Sequence, residues 1–336
     1  MSPQLSPDCV PPTPVEELAV RSADGLRLHV EIHGQPGAPT IVLAHGWTCS
    51  IAFWAPVIRQ LSDRYRLVAY DQRGHGHSEI PPSAARYSTR ALADDLAAVL
   101  ARTVPAGERA VLAGHSMGGM TIMAAGGRPE VAERTAAAVL VSTGPGRLLD
   151  ELAVLPESFR PAGLRRFLHG RLLHSRMPLG PVSAVSRAAL KFATMGPDSA
   201  AGRVEATARI VHACPTTVRA RWAGVLGRLD VFAGLGRLAA PTSVIAGTAD
   251  RLTPPVHAHR MVAELRDPQG LLLLPGVGHM SPLERPVEVA AEIHRMAVAH
   301  LTADSGPAAD SAPGSVSGSG SGSDSDDFDS ERSVVA

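Results

Sequence analysis

The sequence predicts an α/β fold built on a mainly parallel sheet, and three observations carry that expectation. Short continuous apolar runs recur along the chain, as strands covered on both faces require. Segments with apolar residues at helical spacing stand between them. With 336 residues, 45% of them hydrophobic, the chain has ample material for a large core.

Taken in order, ELAVRSADGLRLHVEIHG (17–34) reads as two strands around a turn at Asp24-Gly25. TIVLAHG (40–46) is a buried strand, FWAPVIRQLS (53–62) a helix and YRLVAYD (65–71) another buried strand. STRALADDLAAVLART (88–103) is the clearest helix, with Ser88 or Thr89 as cap and Leu92, Leu96, Val99 and Leu100 on one face. Strand RAVLAG (109–114), a helix after Ser116 and strand AAAVLVST (136–143) follow. The rhythm resumes with TSVIAG (242–247), a helix through HAHRMVAELR, strand GLLLLPG (270–276) and the closing helix PVEVAAEIHRMAVAHL (286–301).

Residues 145–237 break the alternation. They hold helical stretches such as LRRFLHGRLLHSRM and SRAALKFATM but no buried-strand run, and so read as a helical cap between two strands of one sheet. The expected division is therefore a core of residues 15–144 and 238–302, the cap at 145–237, and two disordered ends. Residues 1–14 carry five prolines, and residues 303–336 are Gly/Ser-rich and acidic, without the apolar residues to offset ordering entropy. The cap counts 14 Lys/Arg against 6 Asp/Glu, and the stretch after Leu301 carries 7 acids and one arginine.

Composition also excludes. Lys plus Arg and Asp plus Glu both total 32, so no basic excess points to nucleic acid. Cys9, Cys49 and Cys214 are an odd number without metal-ligand spacing and read as free thiols in a reducing compartment. No metal or cofactor is expected. The N-terminus lacks a signal-peptide pattern, and no apolar run reaches the roughly 18 residues that span a bilayer. The expectation is a cytoplasmic protein with a small-molecule substrate and no membrane insertion; the oligomeric state stays open.

The chemistry concentrates in Gly114-His115-Ser116-Met117-Gly118-Gly119, at a predicted strand-to-helix junction. A nucleophile held at so sharp a turn needs a strained backbone, and glycines two residues away remove the side chains that would collide with it. The helix that follows presents free N–H groups and a positive dipole end. A serine hydroxyl attacks only when a base takes its proton, and the base needs an acid to orient it. Asp250 follows TSVIAG in GTADRLTPP, and His279 follows GLLLLPG in GVGHMSPLERP. The order Ser116, Asp250, His279, each at the carboxyl end of a predicted strand, is that of a hydrolase triad.

These segments, with HGW at 45–47 and DQRGHGHS at 71–78, resemble the α/β-hydrolase superfamily over roughly residues 15–302. The resemblance implies the α/β-hydrolase fold, Ser116 as nucleophile, Asp250 as acid and His279 as base. It puts an oxyanion hole at the backbone N–H groups of Trp47 and Met117. It also implies that Asp71, Arg73 and His75 tie strand ends together, that Asp94 and Asp95 face solvent or bond helix to loop, and that His45 and His115 orient loops. Cys49 is expected to pack near the pocket. Relatives that open epoxides or remove halides use an aspartate nucleophile, and epoxide hydrolases place tyrosines in the cap. Here the nucleophile position is Ser116, and Tyr65, Tyr70 and Tyr87 all precede the cap.

A serine nucleophile implies acyl transfer to water, from an ester, thioester or lactone of small to medium, largely apolar character. Cofactor-free perhydrolase (haloperoxidase-type) activity and carbon–carbon bond hydrolysis use the same three residues and stay open. So does a non-enzymatic role as a small-ligand receptor. Leu148, Leu149, Leu152, Phe159, Leu164, Phe167, Leu168, Leu172 and Leu173 recur at helical spacing and are expected to pack the cap on itself and on the core.

Overall fold

The computed structural model describes residues 6–154, 162–173 and 180–301. Eight strands form one sheet: β1 Glu16–Arg21, β2 Arg27–Gly34, β3 Thr40–Ala44, β4 Arg66–Tyr70, β5 Ala110–His115, β6 Thr135–Val141, β7 Thr242–Gly247 and β8 Pro268–Leu274. Their order is β1-β2-β4-β3-β5-β6-β7-β8. The β1–β2 and β2–β4 pairs are antiparallel, and every later pair is parallel. All residues of β3, β5, β6 and β7 are buried, which explains why these strands read as unbroken apolar runs.

Helices cover both faces. Leu92, Leu96, Met120, Met123, Ala258 and Met261, from helices Thr89–Thr103, Met117–Ala125 and Pro255–Glu264, pack with Val42, Leu112 and Leu140 on one face. Val57, Ile58, Val289, Ile293 and Met296, from helices Ala55–Leu61 and Pro286–Leu301, pack with Ile41, Val111 and Val139 on the other. Alternate residues of each strand thus feed opposite layers, as the pleat dictates. Ser88 is the cap of the long helix: its hydroxyl accepts from Ala91 N–H at 3.1 Å.

Between β6 and β7 the described residues form helices Leu148–Glu151, Ala162–Leu173, Ala184–Thr194, Ala201–Ala213, Thr216–Leu226 and Phe232–Leu235. The insertion is rooted in the core through helix Thr216–Leu226. Val218 and Trp222 of that helix are fully buried, and the Trp222 indole donates to the Arg73 carbonyl at 3.2 Å.

Two expectations are changed by the packing. Residues 6–14, read as part of a disordered terminus, have defined contacts: Cys9 is buried in the second core cluster, and Asp8 pairs with Arg203 at 2.6 Å. One thiol in an apolar cluster and one ion pair are signals that the proline count hides. The apolar stripe of the insertion also splits. Leu148, Leu149 and Leu152 face a cavity, whereas Leu164 and Phe167 are exposed on a helix whose covered side carries His169. Residues 1–5 and 303–336, Phe159, and the side chains of Leu172 and Leu173 lie outside the described residues. No helix among the described residues is long and apolar enough to cross a membrane.

Candidate active site

Ser116 stands between β5 and helix Met117–Ala125 with φ 50° and ψ −116°, a conformation that non-glycine residues rarely adopt. Its neighbours over-determine it. Ser116 N–H donates to the Val141 carbonyl at 3.0 Å, and Thr143 hydroxyl donates to the Ser116 carbonyl at 2.7 Å. A Cβ at Gly118 would lie 2.0 Å from the Ala44 carbonyl oxygen, and one at Gly114 would lie 2.5 Å from Gly118 backbone. The flanking glycines are therefore there because β3, β5 and the helix approach too closely for any side chain.

His279 comes to the same place from the loop after β8. His115 Nε2 donates to the His279 carbonyl at 2.9 Å, fixing the loop to the elbow. Burial holds His115 well below the usual histidine pKa, so it is a neutral structural donor. His279 N–H donates to the Thr194 carbonyl at 2.8 Å, at the end of an insertion helix. Glu284 completes the support, accepting from Gly278 N–H at 3.1 Å and from Gly196 N–H at 2.8 Å.

Asp250, after β7, accepts from His279 Nδ1 at 2.9 Å. Its other oxygen accepts from the Leu252 and Thr253 backbone N–H groups at 2.8 and 2.9 Å. Thr253 hydroxyl donates to the same oxygen that faces His279, at 2.9 Å, and lies 3.2 Å from Nδ1. The carboxylate is thus held in one orientation and the ring in one tautomer, with Nε2 left for chemistry.

Ser116 and His279 line one cavity of about 320 Å³. No hydrogen bond joins Ser116 to His279 among the described residues; such contacts are commonly loose before substrate binds. Trp47, Met120, Leu148, Leu149, Leu152, Leu190 and Leu226 make the cavity largely apolar, and Arg219 also lines it. Trp47 indole donates to the Arg219 carbonyl at 3.2 Å, so the two residues form one wall.

The backbone N–H groups of Trp47 and Met117 have no acceptor among the described residues. Met117 is the first residue of its helix, where N–H groups are unsatisfied by geometry. Trp47 precedes Thr48, whose φ of 62° and bond to His75 Nε2 at 3.2 Å hold the turn.

The remaining polar residues of the motifs form the scaffold. Asp71 accepts from Ile51 N–H at 2.8 Å and His77 N–H at 2.8 Å. Arg73 makes a two-pronged pair with Asp95 at 2.6 Å, both side chains almost fully buried, which places Asp95 in a helix-to-loop bond and not in solvent. Asp94 pairs with Arg128 at 2.6 Å. His45 accepts from Gln72 N–H at 3.0 Å, and burial pushes its pKa down to about 3. Cys49 is buried, which pushes its thiol far up and leaves it unreactive. None of Asp71, Arg73 and His75 lines the cavity.

Sequence alone singles out neither Thr253, Thr194, Arg219 nor Glu284. Thr253 and Glu284 lie inside the GTADRLTP and GVGHMSPLERP segments and could be found there. Thr194 acts through its carbonyl and Arg219 through its place in the fold, so neither has a residue-type signal.

A model of the α/β-hydrolase fold family matches residues 39–286, and the chain belongs to that family. Over 322 residues, 83% of this chain and 96% of the relative, it is 28% identical to epoxide hydrolase A of Mycobacterium tuberculosis. Over 285 residues, 83% of this chain and 100% of the relative, it is 30% identical to a pimeloyl-[acyl-carrier protein] methyl ester esterase of Stenotrophomonas maltophilia. It is also 33% identical over 189 residues to a protein named probable oxidoreductase EphD of Mycobacterium tuberculosis; that match takes in 55% of this chain but spans only 31% of the relative's length. Among solved structures, a thermophilic esterase of Thermogutta terrifontis superposes with a TM-score of 0.67 at 23% identity, covering 84% of this chain and 97% of the other. That likeness shows the fold.

Proposed function

We propose that this chain is a serine hydrolase that cleaves a carboxylic ester, thioester or lactone of small to medium, largely apolar character through an acyl-enzyme on Ser116. The observation that carries the reading is the 2.9 Å hydrogen bond from His279 Nδ1 to Asp250, made behind a ring that shares an apolar cavity with a serine at φ 50°. Ester cleavage is also the activity named for the methyl ester esterase to which the chain is similar over that relative's whole length.

In the proposed reaction, His279 Nε2 takes the Ser116 hydroxyl proton as Oγ bonds to the acyl carbon. The carbonyl oxygen becomes an oxyanion and is met by the Trp47 and Met117 N–H groups, each contributing about 3 kcal/mol to the barrier reduction. The tetrahedral adduct collapses, and His279 returns the proton to the departing alcohol, thiol or lactone oxygen. Water then enters, gives its proton to His279 and attacks the acyl carbon, and the acid leaves as Ser116 regains its hydrogen. Asp250 keeps the imidazole oriented and stabilises its charged form. The insertion acts as a cap that roofs the cavity and separates the substrate from bulk solvent while leaving room for the hydrolytic water.

Epoxide opening is the activity named for one relative. Two features weigh against it here: Ser116 stands at the nucleophile position, and none of Tyr65, Tyr70 and Tyr87 lines the cavity. The test is a chromogenic ester series of varied acyl length on wild type and Ser116→Ala. The reading expects hydrolysis that peaks at short to medium acyl chains and disappears in the variant. Hydrolysis retained by Ser116→Ala would overturn it.

A further inference from the structure

Glu151 ends the short helix Leu148–Glu151 at the start of the insertion, with Leu148, Leu149 and Leu152 turned to the cavity. Its carboxylate is gripped by the core helix Pro255–Glu264. Arg260 Nη1 donates to Oε2 at 2.9 Å, and Nη2 stands 2.8 Å from Oε1, a two-pronged pair with both side chains mostly covered. His257 Nε2, fully buried, lies 3.1 Å from Oε2 without making a hydrogen bond to it. Behind His257 the chain passes at Gly144, where a Cβ would come within 2.6 Å of the ring.

The neighbouring attachments are made by main chain. Val231 N–H donates to the Pro145 carbonyl at 2.8 Å before the leucine segment, and Ala153 N–H donates to the Arg251 carbonyl at 2.8 Å after it. Arg147, the residue that opens the short helix, has φ 58°, a left-handed conformation that a non-glycine residue keeps only when its surroundings enforce it. Between those two main-chain ties, the Glu151 side chain is bonded to the core helix.

We infer that Glu151, held by Arg260, is a positioning residue that sets the acyl-length preference of the cavity by pinning the Leu148, Leu149 and Leu152 wall. The inference rests on the acyl-cavity reading given above. A fork-shaped guanidinium–carboxylate pair fixes direction as well as distance, and so constrains the short helix that carries the wall. Medium chains that fill a cavity of about 320 Å³ gain contact with that wall, whereas an acetyl group leaves most of the volume empty. Released leucines cost the medium chain its contacts and admit longer ones.

The experiment compares p-nitrophenyl acetate, octanoate and dodecanoate on wild type, Glu151→Gln, Arg260→Gln, the double variant and Arg260→Lys. Folding is checked by urea unfolding. For Glu151→Gln the octanoate KM is expected to rise about fivefold with kcat within about twofold, as loss of an ion pair of this kind implies. The dodecanoate-to-octanoate ratio of kcat/KM rises, and the double variant is no worse than either single one because both remove the same contact. Arg260→Lys, which keeps a charge for Glu151, recovers part of the wild-type profile. Equal changes for all three esters, or an unchanged length profile, would overturn the inference.

Binding of butyrate, octanoate and dodecanoate to Ser116→Ala, with and without Glu151→Gln, separates the two readings. If the affinity profile shifts with Glu151→Gln while the wild type hydrolyses no ester, the wall stands and the esterase reading falls. Hydrolysis with a length profile indifferent to Glu151 has the opposite meaning.

Discussion

Asp250 and His279, 29 positions apart, meet at 2.9 Å through Oδ2 and Nδ1, and Thr253 hydroxyl donates to the same carboxylate oxygen. Replacing Asp250 by Asn keeps the shape but offers an amide where the ring needs an acceptor, so the wrong tautomer is favoured. For Asp250→Asn, kcat on the best ester is expected to fall about 10,000-fold with little change in KM. Thr253→Val removes only a support and is expected to cost about tenfold or more. Steady-state kinetics on the two variants checks both values.

The elbow glycines make a second prediction. A Cβ at Gly118 would lie 2.0 Å from the Ala44 carbonyl oxygen, inside a parallel sheet that cannot yield locally. Gly118→Ala is expected to lose about 1–3 kcal/mol in urea unfolding, and to lose activity even where folded. Gly163→Ala is the control, because a Cβ there meets nothing within 4 Å and φ is not positive.

Arg73 and Asp95 separate scaffold from chemistry. Their pair is buried and hydrogen-bonded at two points, and removing one partner strands the other's charge. Asp95→Asn is expected to destabilise the protein by about 3–5 kcal/mol. Its KM at a temperature where it remains folded should stay near the wild-type value, since neither residue lines the cavity. Denaturant unfolding and kinetics on one preparation test both halves.

Glu31 gives a pH prediction. Burial alone would raise its pKa, but hydrogen bonds from His29 and His33 on the same face of β2 outweigh that and bring it from 4.5 down to about 2. A carboxyl depressed in the folded state stabilises the protein above its unfolded pKa and ceases to do so as pH falls through the folded one. The destabilisation by Glu31→Gln is therefore expected in full above about pH 4.5 and should fade toward pH 2. Thermal melts of both proteins across that range measure it.

How far the sequence speaks depends on the range of each contact. The central strands were legible because burial on both faces makes them continuously apolar, and the elbow because its glycines are a local steric demand. Asp250 and His279 could be named because each closes a strand of that pattern. Glu151 was not legible: its partner Arg260 lies more than a hundred positions away, and an acid on a short helix has no sequence mark of a clamp. Arg219 was hidden likewise, since only the folding of helix Thr216–Leu226 onto Trp47 brings it to the cavity wall. For Asp95 the sequence left solvent and a helix-to-loop bond open, because nothing local announces Arg73 as its buried partner.

The most direct measurement of the central claim is covalent labelling with an alkyl fluorophosphonate, followed by intact-mass and peptide analysis. One adduct per chain, located on Ser116 and formed far more slowly in Asp250→Asn, is the predicted result. An unlabelled protein, or label that persists at another residue in Ser116→Ala, would contradict an acyl-enzyme on Ser116.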